Sequence, residues 1–189
     1  VRVDVFGAVG DYLGSGNDGM IIHMHGNGQD QIGQIHKSGE LIVHGDVGQC
    51  YGYGSKGGKL FILGNAAGRP MINSVGSPKL VINGTALDYL AESFMAGDPL
   101  DGGGFVIVNG MQFDERGELI SLETPYPGGN LFSLASGGAI YIRDPRQRLS
   151  DSQLNGGAFT DMTDADWEVV QPILYRNQEH FGISLQRLL

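Results

Sequence analysis

The sequence is poor in several residue types, and each shortage argues against a class of protein. A single cysteine, Cys50, cannot form an internal disulfide, which favours a cytoplasmic location. Only 12 Lys and Arg residues stand against 21 Asp and Glu, with no basic run, so no nucleic-acid partner is expected. No apolar stretch approaches the roughly 18 residues of a membrane span, and no basic segment leads into an apolar one. We therefore expect neither a membrane anchor nor a leader peptide.

Glycine, in contrast, is abundant, with 32 residues among 189. Many of these glycines belong to a repeat, in which a short β-rich run ends in glycine. The runs end at Gly26, Gly45, Gly64, Gly84, Gly110 and, with aspartate in place of glycine, Asp144. The first four ends are spaced 19, 19 and 20 residues apart, and the later gaps of 26 and 34 residues indicate insertions at 98–104 and 112–130.

Aligning the runs on their last residue separates two kinds of column. The positions four and two residues before the end are aliphatic in every run, which is typical of one buried face of a strand. Those two columns are Ile22, Leu41, Leu60, Leu80, Val106 and Ile140, then Met24, Val43, Ile62, Ile82, Val108 and Ile142. The alignment also sets Glu40 beside Lys59, an opposite-charge pair that favours this register. After the run ends, Asn27, Asp46, Asn65 and Thr85 form a polar turn column.

This repeat is too short for a strand, a helix and a second strand. We therefore predict an all-β fold: a right-handed parallel β-solenoid (β-helix) of about six or seven rungs, with glycines at its corners. The predicted domains are the β-solenoid over 1–144, and a loop with a C-terminal helical cap over 145–189. A capping box at Thr163 and Asp166 predicts the start of the cap helix, and Pro172 should kink or divide it.

Three local patterns could carry chemistry. Two G-x-G-x-x-G matches, at 14–19 and 52–57, lead into β-rich runs instead of a helix, so we interpret them as solenoid corners. His25 and His44 occupy one outward column in successive repeats, with His23 nearby, and are weak candidates for a metal site. Because a structural zinc site needs four ligands, we predict no metal site and interpret them as a polar ladder on a partly covered face. The sequence predicts no catalytic residue and no cofactor-binding residue, and Cys50 is interpreted as a small buried residue.

The outward columns also contain apolar side chains that form one patch on the predicted wall. They are Ile42, Phe61, Leu63, Val81 and Ile107. A soluble monomer seldom exposes such a patch, so either the C-terminal helix or another protein should cover it. We predict that at least part of this patch is a protein–protein interface.

Three longer segments resemble one known family. The segments 26–70, 80–97 and 133–144 resemble the β-helical (GXGXG) domain of glutamate synthase, closest to the archaeal-type split enzyme, and Glu92, Met95 and Ala96 fit its motif. The sequence departs from the family in the insertion 98–102, in the stretch 112–130 and at Asp144. The same domain type is also similar to one of the polypeptides of formylmethanofuran dehydrogenase.

The resemblance implies a structural role. In glutamate synthase this domain supports an amidotransferase and an FMN-bearing barrel, while the catalytic groups lie elsewhere. We therefore expect a non-catalytic component of an oxidoreductase that makes glutamate from glutamine and 2-oxoglutarate. FMN and iron–sulfur clusters are expected in the protein partners and none in this chain. The alternatives are a scaffold of another redox complex such as formylmethanofuran dehydrogenase, a stand-alone carbohydrate- or metal-active protein, and, for the association state, a homo-oligomer.

Overall fold

The computed structural model describes residues 1–189 and contains nine strands and two α-helices. The strands are β1 Arg2–Phe6, β2 Asp18–His25, β3 Ser38–Val43, β4 Lys59–Ile62, β5 Lys79–Ile82, β6 Phe105–Val108, β7 Met111–Phe113, β8 Leu119–Ser121 and β9 Ala139–Ile142. The helices are α1 Asp164–Phe181 and α2 Leu185–Leu188. Seven strands form a parallel sheet in the order β1-β2-β3-β4-β5-β6-β9, and β7 and β8 form a separate antiparallel pair.

The strand register confirms the two predicted aliphatic columns. Leu41 lies opposite Ile22 on one side and Leu60 on the other, and the same alignment continues through β9. Leu41 and Leu60 are fully buried, and burying such a side chain contributes about 1.5–3 kcal/mol. Glu40 also lies opposite Lys59, as predicted.

Each repeat turns through residues with positive φ at alternate positions. In one repeat Cys50, Gly52 and Gly54 have φ values of 57°, 67° and 62°. Two overlapping turns close there, since Tyr53 N–H donates to the Cys50 carbonyl and Ser55 N–H to the Gly52 carbonyl, each at 3.1 Å. Turns with positive φ at the third residue favour glycine, which explains the second G-x-G-x-x-G match as a pair of turns.

The predicted all-β solenoid is wrong. The chain has one open parallel sheet, a separate antiparallel pair and an 18-residue helix packed on the sheet, which is an α/β-like arrangement. Away from the sheet the repeats meet only through turns and isolated bridges such as Val47 with Ala66 and Ala66 with Ala86. The residues with positive φ at alternate positions close turns there instead of pairing as strands, so no further sheet closes the repeats into a solenoid.

The polar turn column forms a side-chain ladder. The Oδ1 atom of Asn27 accepts from the N–H of Asp46 at 2.8 Å, and Asp46 Oδ1 accepts from the N–H of Asn65 at 2.7 Å. A Cβ atom at Gly45 or Gly64 would collide with these same Oδ1 atoms. The need for glycine at Gly45, Gly64 and Gly84 is therefore explained by the space that the preceding repeat's side chain occupies.

Helix α1 begins as predicted and lies across the outer face of the sheet. Thr163 is its N-cap and forms a capping box with Asp166. The helix runs through Pro172 without division, contrary to one of the predicted outcomes. Its buried residues Val170, Ile173 and Leu174 share one apolar cluster with the sheet. The domain boundary at residue 144 stays a prediction, and neither helix has the length and apolarity to cross a membrane.

Candidate functional site

Three histidines of the main sheet lie side by side on its outer face. His23 and His25 are on β2, and His44 follows β3. His23 Nδ1 lies 3.2 Å from His44 Nε2, within hydrogen-bond distance. The rings of His25 and His44 stack with their centroids 4.8 Å apart and their planes at 16°. The sequence therefore predicted the proximity of His25 and His44, with His23 nearby, correctly.

A fourth histidine, His180, reaches this group from the last turn of α1. Its ring packs edge-on against His23 and Phe61, with centroid distances of 5.5 Å and 4.8 Å. The side chain is only 5% exposed, and its Nε2 atom has no hydrogen-bond partner although it lies 3.3 Å from the Glu40 carboxylate. We refer to His23, His25, His44 and His180 as the histidine cluster.

Glu40 anchors the helix beside the histidine cluster. Its carboxylate accepts from Arg176 Nε at 3.0 Å and from Arg176 Nη2 at 2.7 Å. Burial acts to raise the pKa of Glu40, but the hydrogen bonds and charge of Arg176 outweigh it and hold the pKa below its usual value. Arg176 also pairs with Glu179 on its own helix. Sequence reasoning missed this anchor, because the i, i+4 spacing of Arg176 and His180 places both on one helix face without indicating which strand they meet.

Burial favours the neutral forms of His180, His23 and His44. Burial, followed by the charge of Arg176, lowers the pKa of His180 to about 4. Burial also lowers the pKa of His23 and of His44. A neutral imidazole carries one donor and one acceptor, so one of His23 and His44 can donate a hydrogen bond to the other. The buried part of the cluster is suited to packing and polar contact beneath a helix.

The exposed end of the cluster lies at the sheet edge. His25 Nε2 lies 2.8 Å from Asp4 Oδ1, and both side chains are about one-third exposed. The ring of Phe6 stacks on His25 at a centroid distance of 4.4 Å. Hydrogen bonds from Arg2, and then from His25, lower the pKa of Asp4. Asp4 is therefore anionic and faces solvent, with Arg2 of β1 and His25 of β2 as its neighbours.

The structure adds no third metal ligand to His25 and His44. Their rings are almost parallel, so the in-plane lone pairs do not converge on a common point between them. No group of three or more His, Cys, Asp or Glu side chains is placed to hold a metal ion. The weaker hypothesis of a metal role for these two histidines stays untested.

Helix α1 covers most of the predicted interface patch. Ile42, Phe61, Val81 and Ile107 are buried in the cluster that includes Ile173, and Leu63 packs against it partly exposed. Of the two explanations for the patch, the helix therefore accounts for the burial of its centre. The role of the patch in binding another protein stays a prediction. A partner could reach its four buried residues only after α1 moves.

A buried amide network fixes the middle of α1. Asn177 of the helix donates from Nδ2 to Asn83 Oδ1 at 2.8 Å, and Asn83 Nδ2 donates to Asn177 Oδ1 at 2.9 Å. Asn109 donates to the same Asn83 oxygen at 3.0 Å. All three side chains are at most 2% exposed, so each hydrogen bond offsets a desolvation cost. The network holds the helix in one register along the sheet.

Comparison with known proteins identifies the family. A search of curated proteins and a search of solved structures gave no match. A family model described as "GXGXG motif" matches residues 1–187, nearly the whole chain. The alternate glycines of Gly14-x-Gly16 and Gly52-x-Gly54, which turn the chain in two of the repeats, agree with that description. The chain belongs to the GXGXG motif family, and this membership supports a domain of the glutamate synthase type.

Proposed function

We propose that this chain is a non-catalytic structural component of a glutamate-synthase-type oxidoreductase. In this role it organises an amidotransferase and an FMN-containing protein, and the complex makes glutamate from glutamine and 2-oxoglutarate. The observation that carries the proposal is the family match over residues 1–187, which covers the sheet, its turns and helix α1 together. FMN and iron–sulfur clusters belong to the partners in this proposal, and the chain itself binds no cofactor.

The contacts of the titratable groups support a structural role. Glu40 is occupied by Arg176, and Glu92 is paired with Arg69. The hydroxyl of Tyr141 donates to Asp166 at 2.9 Å, which ties β9 to the first turn of α1. A general acid or base needs a free path to a substrate, whereas these groups join one element of the chain to another. The same contacts tie the helix and the turns to the sheet, which suits a support for other proteins.

The proposal is tested by purifying the tagged chain from its native host under mild conditions. We expect it to co-purify in fixed ratio with a flavoprotein and an amidotransferase, with FMN and iron in the preparation. The preparation should convert 2-oxoglutarate to glutamate with glutamine as the nitrogen donor. The chain purified alone serves as the control and should lack this activity.

Two results would contradict the proposal. Glutamate formation by the chain alone would assign it a catalytic role. A complex that contains molybdenum and a pterin but no flavin would instead support the formylmethanofuran dehydrogenase alternative. Mass spectrometry identifies the polypeptides, and metal and flavin analysis separates the two kinds of complex.

A further inference from the structure

Strand β1 forms a free edge of the main sheet. It pairs only with β2, from Arg2 opposite Ile21 to Phe6 opposite His25. Val3 is 37% exposed and Phe6 is 74% exposed, in contrast to the buried strands that follow. An unpaired strand edge presents a row of backbone donors and acceptors that can pair with another strand.

Alternate residues of β1 direct their backbone groups to this free edge. The Val1 carbonyl accepts from the N–H of Ile21 on β2. Successive residues of a strand point their N–H and C=O groups to opposite sides, so Val1, Val3 and Val5 face β2. The backbone groups of Arg2 and Asp4 therefore face outward and are available to a further strand.

We propose that β1 pairs antiparallel with β1 of a second copy of this chain, across a two-fold axis at Val3. In this register Arg2 lies opposite Asp4 of the second copy, and Asp4 lies opposite its Arg2. The outward backbone groups of both residues then form hydrogen-bonded pairs, giving about four hydrogen bonds between the copies. The two seven-stranded sheets become one continuous sheet with an isologous interface.

Charge complementarity selects this register over its neighbours. An axis at Arg2 would set Arg2 opposite Arg2, and an axis at Asp4 would set Asp4 opposite Asp4, both with like charges in contact. An axis at Val5 would set Asp4 opposite an aromatic ring, that of Phe6. Only the axis at Val3 places opposite charges together twice. It also places Phe6 diagonal to Arg2 of the second copy, a geometry that permits a cation–π contact.

The ion pair between Arg2 and Asp4 can exchange partners, while Asp4 keeps its contact with His25 of β2. Arg2 and Asp4 now pair within one strand, with Arg2 Nε 2.9 Å from Asp4 Oδ2, and their side chains are 61% and 32% exposed. Two residues of one strand at i and i+2 lie on the same face, so each can turn to the residue opposite it on a new strand. The proposal does not depend on the proposed role in an oxidoreductase.

Charge reversal tests the pairing with the purified chain by sedimentation velocity over a series from micromolar to millimolar concentration. We expect the unaltered chain to form a reversible dimer. Arg2→Asp alone and Asp4→Arg alone each set like charges opposite each other twice, and each should weaken self-association at least about tenfold. The double variant Arg2→Asp/Asp4→Arg should dimerise again.

The sharpest experiment mixes the two single variants. In a mixed pair, positions 2 and 4 of the Arg2→Asp variant are both acidic and lie opposite positions 4 and 2 of the Asp4→Arg variant, which are both basic. An equimolar mixture should therefore form a mixed dimer although each variant alone is monomeric. Hydrogen exchange of the unaltered chain should show protection of the Arg2 and Asp4 amides that rises with concentration, while that of Val3 stays constant. A chain that remains monomeric throughout, single variants that still dimerise, or a mixture that stays monomeric would overturn the proposal.

Discussion

The covered and uncovered parts of one sheet differ in what lies on their outer faces. Beneath α1, Phe61 points outward from β4 and is fully buried, whereas Phe6 points outward from β1 and is 74% exposed. Both side chains occupy outward positions of the repeated strands, one residue before Gly7 and three residues before Gly64, in the same sheet. The repeat therefore builds the sheet, while a helix far along the chain determines which part of its outer face is buried.

The charged residues follow the same division. The Glu40 side chain is 10% exposed and holds Arg176 of the helix, whereas Asp4 is 32% exposed and holds its neighbour Arg2. The ion pair beneath the helix thus joins residues 136 positions apart, whereas the ion pair on β1 joins residues two positions apart. Removing a side chain beneath α1 should therefore lower the free energy of unfolding more than removing a matched exposed side chain. This difference should be largest for aromatic side chains and smallest for ion pairs.

Shortening the two phenylalanines should give the strongest contrast. Phe61→Ala removes a fully buried ring and should lower the free energy of unfolding by about 3–5 kcal/mol. Phe6→Ala at the exposed edge should change it by less than about 0.5 kcal/mol. Urea unfolding at low protein concentration measures both. Equal losses for the two variants would mean that α1 does not bury the outer face in solution.

The amide network should give the next largest effect. Asn177→Ala removes two buried hydrogen bonds between the helix and Asn83, and should cost about 2–3 kcal/mol. The matched control on the exposed side of α1 is Tyr175→Ala, since that residue is 51% exposed and its loss should cost less than about 0.5 kcal/mol. Thermal and urea unfolding should agree on this order. A neutral Asn177→Ala variant would contradict the buried network.

Acid should destabilise the covered face. The folded pKa of His180, about 4, lies below the ordinary value of 6.5, so the unfolded chain binds the proton more readily. Stability should therefore be complete above about pH 6.5 and fall as the pH drops toward 4, with about 2 kcal/mol lost for this residue by about pH 5. His23 and His44 add to the loss in the same direction.

The His180→Phe variant isolates this contribution. It keeps an aromatic ring between His23 and Phe61 but cannot take up a proton. Unfolding curves from pH 7 to about pH 5 should be flatter for the variant than for the unaltered chain. An identical pH dependence of the two would show that His180 is not buried beneath the helix.

The ion pairs should show the smallest effect. Arg176→Ala leaves the Glu40 carboxylate with Lys59 at 3.7 Å, and we expect a loss of about 1 kcal/mol, because Arg176 is itself one-third exposed and screened. Arg2→Gln on β1 should leave the unfolding midpoint of the monomeric chain unchanged. A larger loss of unfolding free energy for Arg2→Gln than for Arg176→Ala would contradict the greater cost expected for changes beneath α1.

Periodicity made the strand register predictable, because each inward position repeats in sequence. Strand β1 obeys the same pattern, with Val3 and Val5 placed as in later runs and Gly7 located 19 residues before Gly26, although the runs were recognised only from β2 onward. The closed solenoid was a wrong inference from the same repeat. Sequence spacing alone did not reveal that Cys50 and Met71, like the glycines, adopt positive φ and interrupt any further strand.

The sequence predicted only part of the candidate site. His25 and His44 share a column and could be placed together by counting. His180 and Arg176 belong to a helix that has no repeat, so no count related them to Glu40. Helix start signals at Thr163 predicted where α1 begins, but docking depends on the shape of two assembled surfaces.

The contact between Glu40 and Arg176 joins residues 136 positions apart, and this has a consequence for synthesis on the ribosome. Neighbouring strands are close in sequence, so the sheet can assemble while the chain is still growing. At about 5–20 residues per second, the chain from Phe61 to the end of α1 takes roughly 6–24 seconds to make, and the apolar outer face is uncovered for that time. During that interval the nascent chain presents Ile42 and Phe61 to the ribosome-associated factors that bind exposed apolar segments.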